Sequence, residues 1–207
     1  MSETSKTIGS SDHRIIRSSK AQLRFEARKH RKAIDVSLID ISAATDLFFK
    51  TLNPPKDKVI ASYYPVGSEF DALQVLEAAY AKGYTCALPT IQNDTRVLKF
   101  VTWSPQAQLQ MSKHNIPEVI EDKNHTQTQP DIIIVPLLAF DQKGARLGQG
   151  GGYYDATLAH YHAANKNIIA VGMGYAEQAV LFALPREAHD ERLDLVITPN
   201  QAHDFRT

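Results

Sequence analysis

The chain has little of what marks a secreted, membrane-spanning or polyanion-binding protein. A single cysteine, Cys86, cannot form an intramolecular disulfide, and its apolar neighbours predict a buried, inert thiol in a reducing compartment. The first eighteen residues are rich in serine and threonine and lack the apolar core of a secretory signal. No stretch approaches the roughly 20 apolar residues that a membrane-spanning helix requires.

The formal net charge is also zero, because 23 basic residues balance 23 acidic ones. No global field therefore makes nucleic acid or an anionic membrane an obligatory partner, and any electrostatic recognition must be local. We expect a cytoplasmic protein, monomeric, with a disordered N-terminal tail over residues 1–18.

Residues 19–207 are predicted to form a single domain, because 207 residues with 43% hydrophobic content suffice for one core. A strand over 58–64, a helix from Asp71 to Gly83 and a strand over 84–88 predict a parallel pair with a right-handed crossover. The apolar run 131–136 predicts a strand buried on both faces, and further strands follow at 168–171 and 195–198. The predicted fold class is α/β, a three-layer α/β/α domain with a mostly parallel central sheet, Rossmann-like.

Two helices are predicted before the first strand. Residues 18–34 form a basic amphipathic helix that aligns Lys20, Arg24, Arg28 and Arg31 in one row. A solvated helix face is the favoured interpretation of this row, although two cations one turn apart can also clamp a triphosphate. The second helix is predicted from Ser37, as N-cap with Asp40 in capping-box position, to about residue 50.

Glycine is concentrated in one place. Residues 144–155 read Gly-Ala-Arg-Leu-Gly-Gln-Gly-Gly-Gly-Tyr-Tyr-Asp and hold five of the ten glycines, directly behind an apolar strand. Such a backbone allows close approach to an anion, with N–H groups and a helix N-terminus facing phosphate oxygens. Neither standard nucleotide motif fits, and a structural hairpin is an alternative. The location after a strand, with a helix starting near Tyr153, favours a phosphate ligand.

Three acidic residues are candidates for this site, each with a structural alternative. Asp155 lies in the first turn of the predicted helix, where it can complement the helix dipole or hold Mg²⁺ beside a polyphosphate. Asp190 can be a second metal ligand or an ordinary loop residue. Glu69 can cap a helix or contact a ligand.

The segment 135–155 resembles the signature of the 5-formyltetrahydrofolate cyclo-ligase family, also called methenyltetrahydrofolate synthetase. The likeness extends, in the family's order, to residues 20–24, to 68–71, to 115–118 and to Asp190 with residues 193–194. It thus covers nearly the whole chain.

This resemblance implies an ATP- and Mg²⁺-dependent conversion of 5-formyltetrahydrofolate to 5,10-methenyltetrahydrofolate through a phosphorylated formyl intermediate, releasing ADP and phosphate. No single catalytic side chain is assigned. It implies ATP-binding residues Lys20, Arg24, Arg146, Leu147, Gly148, Gln149, Gly150, Gly151, Gly152, Tyr153 and Tyr154. It implies folate contacts at Glu69, Gln149 and Tyr153, and Mg²⁺ ligands Asp155 and Asp190.

Many family members carry Arg at the position of Gln149 and Lys at that of Gly151. The absence of these two loop cations leaves open a non-catalytic folate- or nucleotide-binding relative. Six Lys and Arg between Lys20 and Lys32 leave open an RNA-associated protein. A sugar-phosphate isomerase is a fourth option that rests on fold analogy.

Overall fold

The computed structural model describes residues 10–164 and 167–206, with side chains described from Ser19 onward. Its four α-helices are α1 (Ser10–Ala33), α2 (Ile41–Leu52), α3 (Leu73–Ala81) and α4 (Tyr153–Ala163), and 3-10 helices occupy Val36–Leu38 and Ala176–Gln178. In this part of the chain, no helix combines the length and apolar character needed to cross a bilayer.

An eight-stranded sheet forms the centre of the molecule, in the order β13-β12-β10-β7-β1-β2-β3-β6. Its strands are β1 (Val59–Ala61), β2 (Thr85–Thr90), β3 (Lys99–Trp103), β6 (Gln127–Thr128), β7 (Ile132–Pro136), β10 (Ile169–Met173), β12 (Leu195–Ile197) and β13 (Ala202–Asp204). A two-stranded sheet pairs β4 (Leu109–Met111) with β5 (Pro117–Val119). A three-stranded sheet joins β8 (Ala139–Asp141), β9 (Arg146–Leu147) and β11 (Ala179–Val180).

The central strands β12, β10, β7, β1 and β2 run parallel, and antiparallel strands β13, β3 and β6 extend the two edges. The predicted β1-α3-β2 unit is confirmed, with Ile60 opposite Cys86 in a parallel pair. The molecule therefore has a mixed α/β fold built on a large, mostly parallel sheet.

Apolar side chains cover both faces of this sheet. In β7, Ile132 and Ile134 pack into the cluster that contains α2 and α3, whereas Ile133 and Val135 pack into the cluster that contains α4. This alternation confirms the prediction of a strand buried on both faces. The thiol of Cys86 is buried as predicted, and this burial raises its pKa to about 12.

The N-terminal region differs from the sequence prediction in two respects. Helix α1 begins at Ser10, so the segment predicted as a disordered tail is helical from that residue, while residues 1–9 lie outside the described residues. The predicted N-cap Ser37 is wrong, because Asp40 caps α2 by accepting a 3.0 Å hydrogen bond from the backbone N–H of Ser42. Ser37 belongs instead to a 3-10 turn that Asp35 caps.

Candidate active site

The site lies at the topological switch point of the sheet, between β1 and β7, where successive strands are added on opposite sides. From β1 the chain continues to the neighbouring β2 on one side, and from β7 it continues to β10 on the other. Connections that diverge in this way open a crevice at the carboxyl ends of the two strands. A cleft of about 770 Å³ occupies this place, lined by Tyr63 and Tyr64 after β1 and by Pro136 at the end of β7. Its volume is typical of a small-molecule site.

The glycine loop, residues 148–152, lines this cleft between β9 and α4. Gly150 has φ of 103° and Gly152 has φ of 72°, a backbone region that strongly favours glycine. Gly152 is the N-cap of α4 and has no side chain to bond the first amides of the helix. The predicted helix start at Tyr153 is therefore confirmed, with the N-terminus of α4 beside the cleft.

Helix α1 docks its basic row on this loop. Arg24 Nε donates a 3.0 Å hydrogen bond to the carbonyl oxygen of Gly148. Arg28 donates from Nη2 to the carbonyl oxygen of Gln149 at 2.9 Å and from Nε to its side-chain oxygen at 3.1 Å. The favoured prediction of a solvated helix face is thus wrong, because guanidinium groups satisfy the carbonyls that the irregular loop leaves unpaired.

The two ends of the row are buried. Lys20 is 5% exposed, and its Nζ lies 3.2 Å from Glu187 Oε2 and 2.5 Å from Asp190 Oδ2. Arg31 is 6% exposed and donates to Ser68 Oγ and to the carbonyl oxygen of Leu137, each at 3.2 Å. Burial lowers the pKa of Arg31, and the nearby carboxylate of Glu69 opposes this shift. Four of the six cations on which the RNA-associated interpretation depended, those of the row, are therefore engaged within the chain.

Asp155 and Arg146, both predicted site residues, face each other in the cleft. Arg146 Nη2 lies 2.7 Å from Asp155 Oδ1, and Nη1 donates to the carbonyl oxygen of Glu191 at 2.7 Å. The same Oδ1 accepts a 3.1 Å hydrogen bond from the backbone N–H of Glu191. Across the described ranges no donor reaches the second oxygen, Oδ2, which therefore remains available to a ligand.

The other predicted metal ligand, Asp190, belongs to a cluster that the sequence reasoning missed. The potential ligand atoms of Glu187, His189 and Asp190 lie within 4.8 Å of one another, the only group of this kind among the described residues. All three residues line the same cleft as Asp155. Their spacing over four positions in a polar loop was the available signal, but such loops are common at protein surfaces.

The residues predicted to contact folate also lie in the cleft. Glu69 Oε1 accepts a 3.0 Å hydrogen bond from Gln149 Nε2, which joins two of them directly. Tyr153 packs edge-on against His114, with ring centroids 6.1 Å apart. Tyr154 also lines the cleft, and burial, reinforced by the charge of Glu69, raises the pKa of its hydroxyl.

The wall opposite the glycine loop was not singled out as a surface by the sequence reasoning. It is formed by residues of β2, of β5 and of the chain between these strands, namely Pro89, Ile91, Arg96, Leu98, His114, Ile116 and Glu118. These residues are scattered over thirty positions, and only Ile116 and Glu118 fall within a segment of the resemblance, residues 115–118. Only the folded chain brings the whole set together.

A family model described as the 5-formyltetrahydrofolate cyclo-ligase family matches residues 16–199. The chain belongs to this cyclo-ligase family. The matched range contains α1 from Ile16 onward, the glycine loop and the cluster around Asp190, so it includes every predicted site residue. The resemblance first suggested by the glycine loop is confirmed, and the chain is assigned to a family of ligases.

The alignments with two bacterial 5-formyltetrahydrofolate cyclo-ligases cover most of this chain and most of each relative. The 5-formyltetrahydrofolate cyclo-ligase of Mycolicibacterium smegmatis is 29% identical over 188 residues, which cover 88% of this chain and 95% of the relative. That of Escherichia coli K12 is 31% identical over 150 residues, which cover 70% and 80%.

Solved structures show the same fold. The NMR structure of Aquifex aeolicus 5,10-methenyltetrahydrofolate synthetase is 26% identical with a TM-score of 0.73, covering 91% of this chain and 93% of that one. A 5,10-methenyltetrahydrofolate synthetase from Mycoplasma pneumoniae has 22% sequence identity and a TM-score of 0.65. At this identity the likeness supports only the fold.

Proposed function

We propose that this protein converts 5-formyltetrahydrofolate to 5,10-methenyltetrahydrofolate with consumption of ATP and release of ADP and phosphate. One observation supports this proposal above the others. The cations of α1, the glycine loop and the acidic cluster converge on a single cleft. This combination provides donors for phosphate oxygens and carboxylates for a divalent cation in the same place.

The nucleotide phosphates are proposed to bind along residues 146–154. The loop supplies backbone N–H groups without side chains in the way, and α4 adds a helix N-terminus that lacks a side-chain cap. Lys20, Arg24 and Arg146 line the same part of the cleft and supply positive charge. The loop amides and these partly buried cations are thereby already in place for a triphosphate.

Mg²⁺ is proposed to bind at the carboxylates of Asp155 and Asp190, with Glu187 as a further candidate. Clustered carboxylate oxygens fit a hard cation that also takes phosphate ligands, whereas the imidazole of His189 is less suited to it. When bound, the ion neutralises phosphate charge. Lys20 already neutralises Glu187 and Asp190 in this structure. If Mg²⁺ takes the place of the Lys20 ammonium group beside Glu187 and Asp190, the negative charge of these carboxylates stays neutralised.

Folate is proposed to bind between the loop and the opposite wall. Ile91 and Ile116 supply an apolar surface, and Tyr153 adds an aromatic ring. Glu69 supplies a carboxylate that is already oriented by Gln149 and by the backbone N–H of Val66. A flat heterocycle with polar edges fits such a surface.

The proposed chemistry needs positioning more than acid–base catalysis. Transfer of the γ-phosphoryl group to the formyl oxygen releases ADP and turns that oxygen into a leaving group. N10 of the folate then attacks the formyl carbon and releases its proton to solvent, and phosphate departs with the oxygen. Holding the two reactants in line and compensating the charge on the transferred group are the main tasks of the protein. The fixed loop donors and cations can perform both.

We also infer that the fold is three-layered and Rossmann-like, as the sequence suggested. Two covered sheet faces support this description, and so does the order of the parallel strands. Numbered along the chain, these five strands are arranged 2-1-3-4-5, an order found in doubly wound α/β proteins.

A turnover assay tests the proposed function. Purified protein, 5-formyltetrahydrofolate and MgATP should generate the absorbance of methenyltetrahydrofolate, and omission of ATP should abolish it. Absence of product between pH 6 and 8, together with calorimetric binding of folate or nucleotide, would instead identify a non-catalytic binding relative.

A further inference from the structure

Arg96 differs from the other cations that line the cleft. Lys20 is paired with two carboxylates, Arg24 is bonded to the loop backbone, and Arg146 is bonded to Asp155 and Glu191. The guanidinium of Arg96 makes no hydrogen bond or ion pair with any residue in 10–164 or 167–206. It is thus the cleft cation that can bind a ligand without first losing a partner.

The position of Arg96 is defined by the glycine loop. A Cβ atom at Gly152 would lie 3.5 Å from Arg96 Nη1, so the guanidinium stands directly over the turn that begins α4. Two residues earlier, in the middle of the loop, a Cβ at Gly150 would lie 3.4 Å from Arg24 Nε. Two arginines from different elements therefore flank a loop segment that contains no cation of its own.

The two arginines come from distant elements of the chain. Arg24 belongs to α1, whereas Arg96 belongs to the connection between β2 and β3, next to the wall residues Ile91 and Leu98. In the proposed reaction the transferred phosphoryl group must lie between the nucleotide and the folate. The guanidinium of Arg96 lies beside the glycine loop, on a segment that also contributes to the wall proposed to bind folate. It can therefore contact a phosphoryl group held between the two reactants.

We propose that Arg96 is a catalytic residue that binds the terminal phosphoryl group of the nucleotide during its transfer to the formyl oxygen. This inference rests on the proposed function. The planar guanidinium offers two parallel N–H donors to phosphate oxygens, which a lysine does not. Arg96 is exposed and has no protein partner in the described ranges, so fixing its side chain costs conformational entropy. Contacts with a bound phosphoryl group can offset this cost.

The test compares Arg96→Gln with Arg192→Gln, which removes an exposed arginine that does not line the cleft. Equilibrium binding of MgADP and of a non-hydrolysable ATP analogue, AMP-PNP with Mg²⁺, is measured by calorimetry. Arg96→Gln should weaken AMP-PNP by about tenfold, the loss of one charge-assisted contact, and leave ADP unchanged. Its kcat should fall on the order of 100-fold or more, with Arg96→Lys intermediate. Arg192→Gln should match the wild type in every measurement.

Three results would overturn the assignment of Arg96. Equal weakening of ADP and AMP-PNP would place the guanidinium on the inner phosphates. A rise in KM for folate alone, larger for polyglutamylated substrate, would place it on the folate carboxylates. Unchanged binding and turnover would leave it a solvated side chain. A wild-type protein that neither binds AMP-PNP nor forms product would instead refute the proposed function itself.

Discussion

Two lysine–aspartate pairs lie near opposite ends of the parallel sheet and differ in their surroundings. At the amino end, Lys58 Nζ lies 3.0 Å from Asp131 Oδ1, with the two side chains 40% and 35% exposed. At the cleft, Lys20 Nζ lies 2.5 Å from Asp190 Oδ2, with side-chain exposures of 6% and 17%. The chemical groups are identical, but water screens only the first pair effectively.

The difference shows which polar groups can serve a ligand. At the amino ends of the strands, carboxylates hold the sheet itself: Asp131 accepts from the backbone N–H of Val59 at 2.9 Å, and Asp194 accepts from that of Ala170 at 2.7 Å. At the cleft, the acidic groups are paired mainly with Lys20 and Arg146, whose side chains can exchange partners. We therefore expect amino-end variants to affect stability and cleft variants to affect ligand-dependent properties as well.

The largest expected effect is that of Lys20→Met. This change leaves Glu187 and Asp190 close together without their shared cation. Removing one partner of a buried pair costs about 3 kcal/mol, which for a chain of this size lowers Tm by roughly 6–12 °C. Thermal melts and urea titrations measure the loss.

The double variant Lys20→Met with Asp190→Asn serves as the control. Removing the uncompensated carboxylate should restore part of the lost stability, because the penalty comes from unpaired charge. A single variant that melts with the wild type would show that other partners, such as the nearby imidazole of His189, compensate the two carboxylates.

The next effect is that of Asp155→Asn, which keeps an acceptor for Arg146 and for the Glu191 N–H but removes the negative charge. If Asp155 holds Mg²⁺, turnover should fall on the order of 100-fold, equivalent to about 2.7 kcal/mol, and the Mg²⁺ requirement should rise. A magnesium titration of the initial rate measures both. A wild-type rate combined with a lower Tm would assign Asp155 a purely structural role.

A smaller effect, confined to stability, is expected for Asp194→Ala. The variant leaves the N–H of buried Ala170 without its acceptor, at a cost of about 2 kcal/mol. Because Asp194 does not line the cleft, kcat should remain unchanged. A loss of turnover without a loss of stability would contradict the division between the two ends of the sheet.

The smallest effect is expected for Lys58→Met. The hydrogen bond and the charge of Asp131 raise the pKa of Lys58 above its usual 10.5. A raised pKa in the folded state means that the contribution is fully present below pH 10.5 and disappears as the pH rises through the folded value. The small difference in Tm between variant and wild type at pH 8 should therefore vanish at strongly alkaline pH. A difference that persists there would indicate lost packing instead of lost charge.

Local features of the sequence predicted much of the fold and the centre of the site. The glycine loop and the start of α4 were predicted correctly because glycine and helix periodicity act over a few residues. The N-cap of α2 was misassigned because Ser37 and Asp40 are both good capping residues, and local preference does not choose between them.

Contacts between distant residues could not be predicted in the same way. Arg24 and Gly148 are separated by 124 positions, and nothing local to α1 shows that a glycine loop will cover its basic row. Burial of Lys20 and Arg31 follows from the same docking and was missed for the same reason. The roles of these residues in binding ATP, folate and Mg²⁺ remain predictions for the experiments above.

The pairing of Lys20 with Glu187 and Asp190 spans up to 170 positions, which has a consequence for biosynthesis. A ribosome releases α1 first, yet this helix cannot meet its acidic partners until nearly the entire polypeptide has emerged. A prematurely terminated product that ends before Glu187 therefore lacks both carboxylates that pair with Lys20. Under the proposed function, nascent chains of this protein should therefore show no ATP-dependent turnover before synthesis is almost finished.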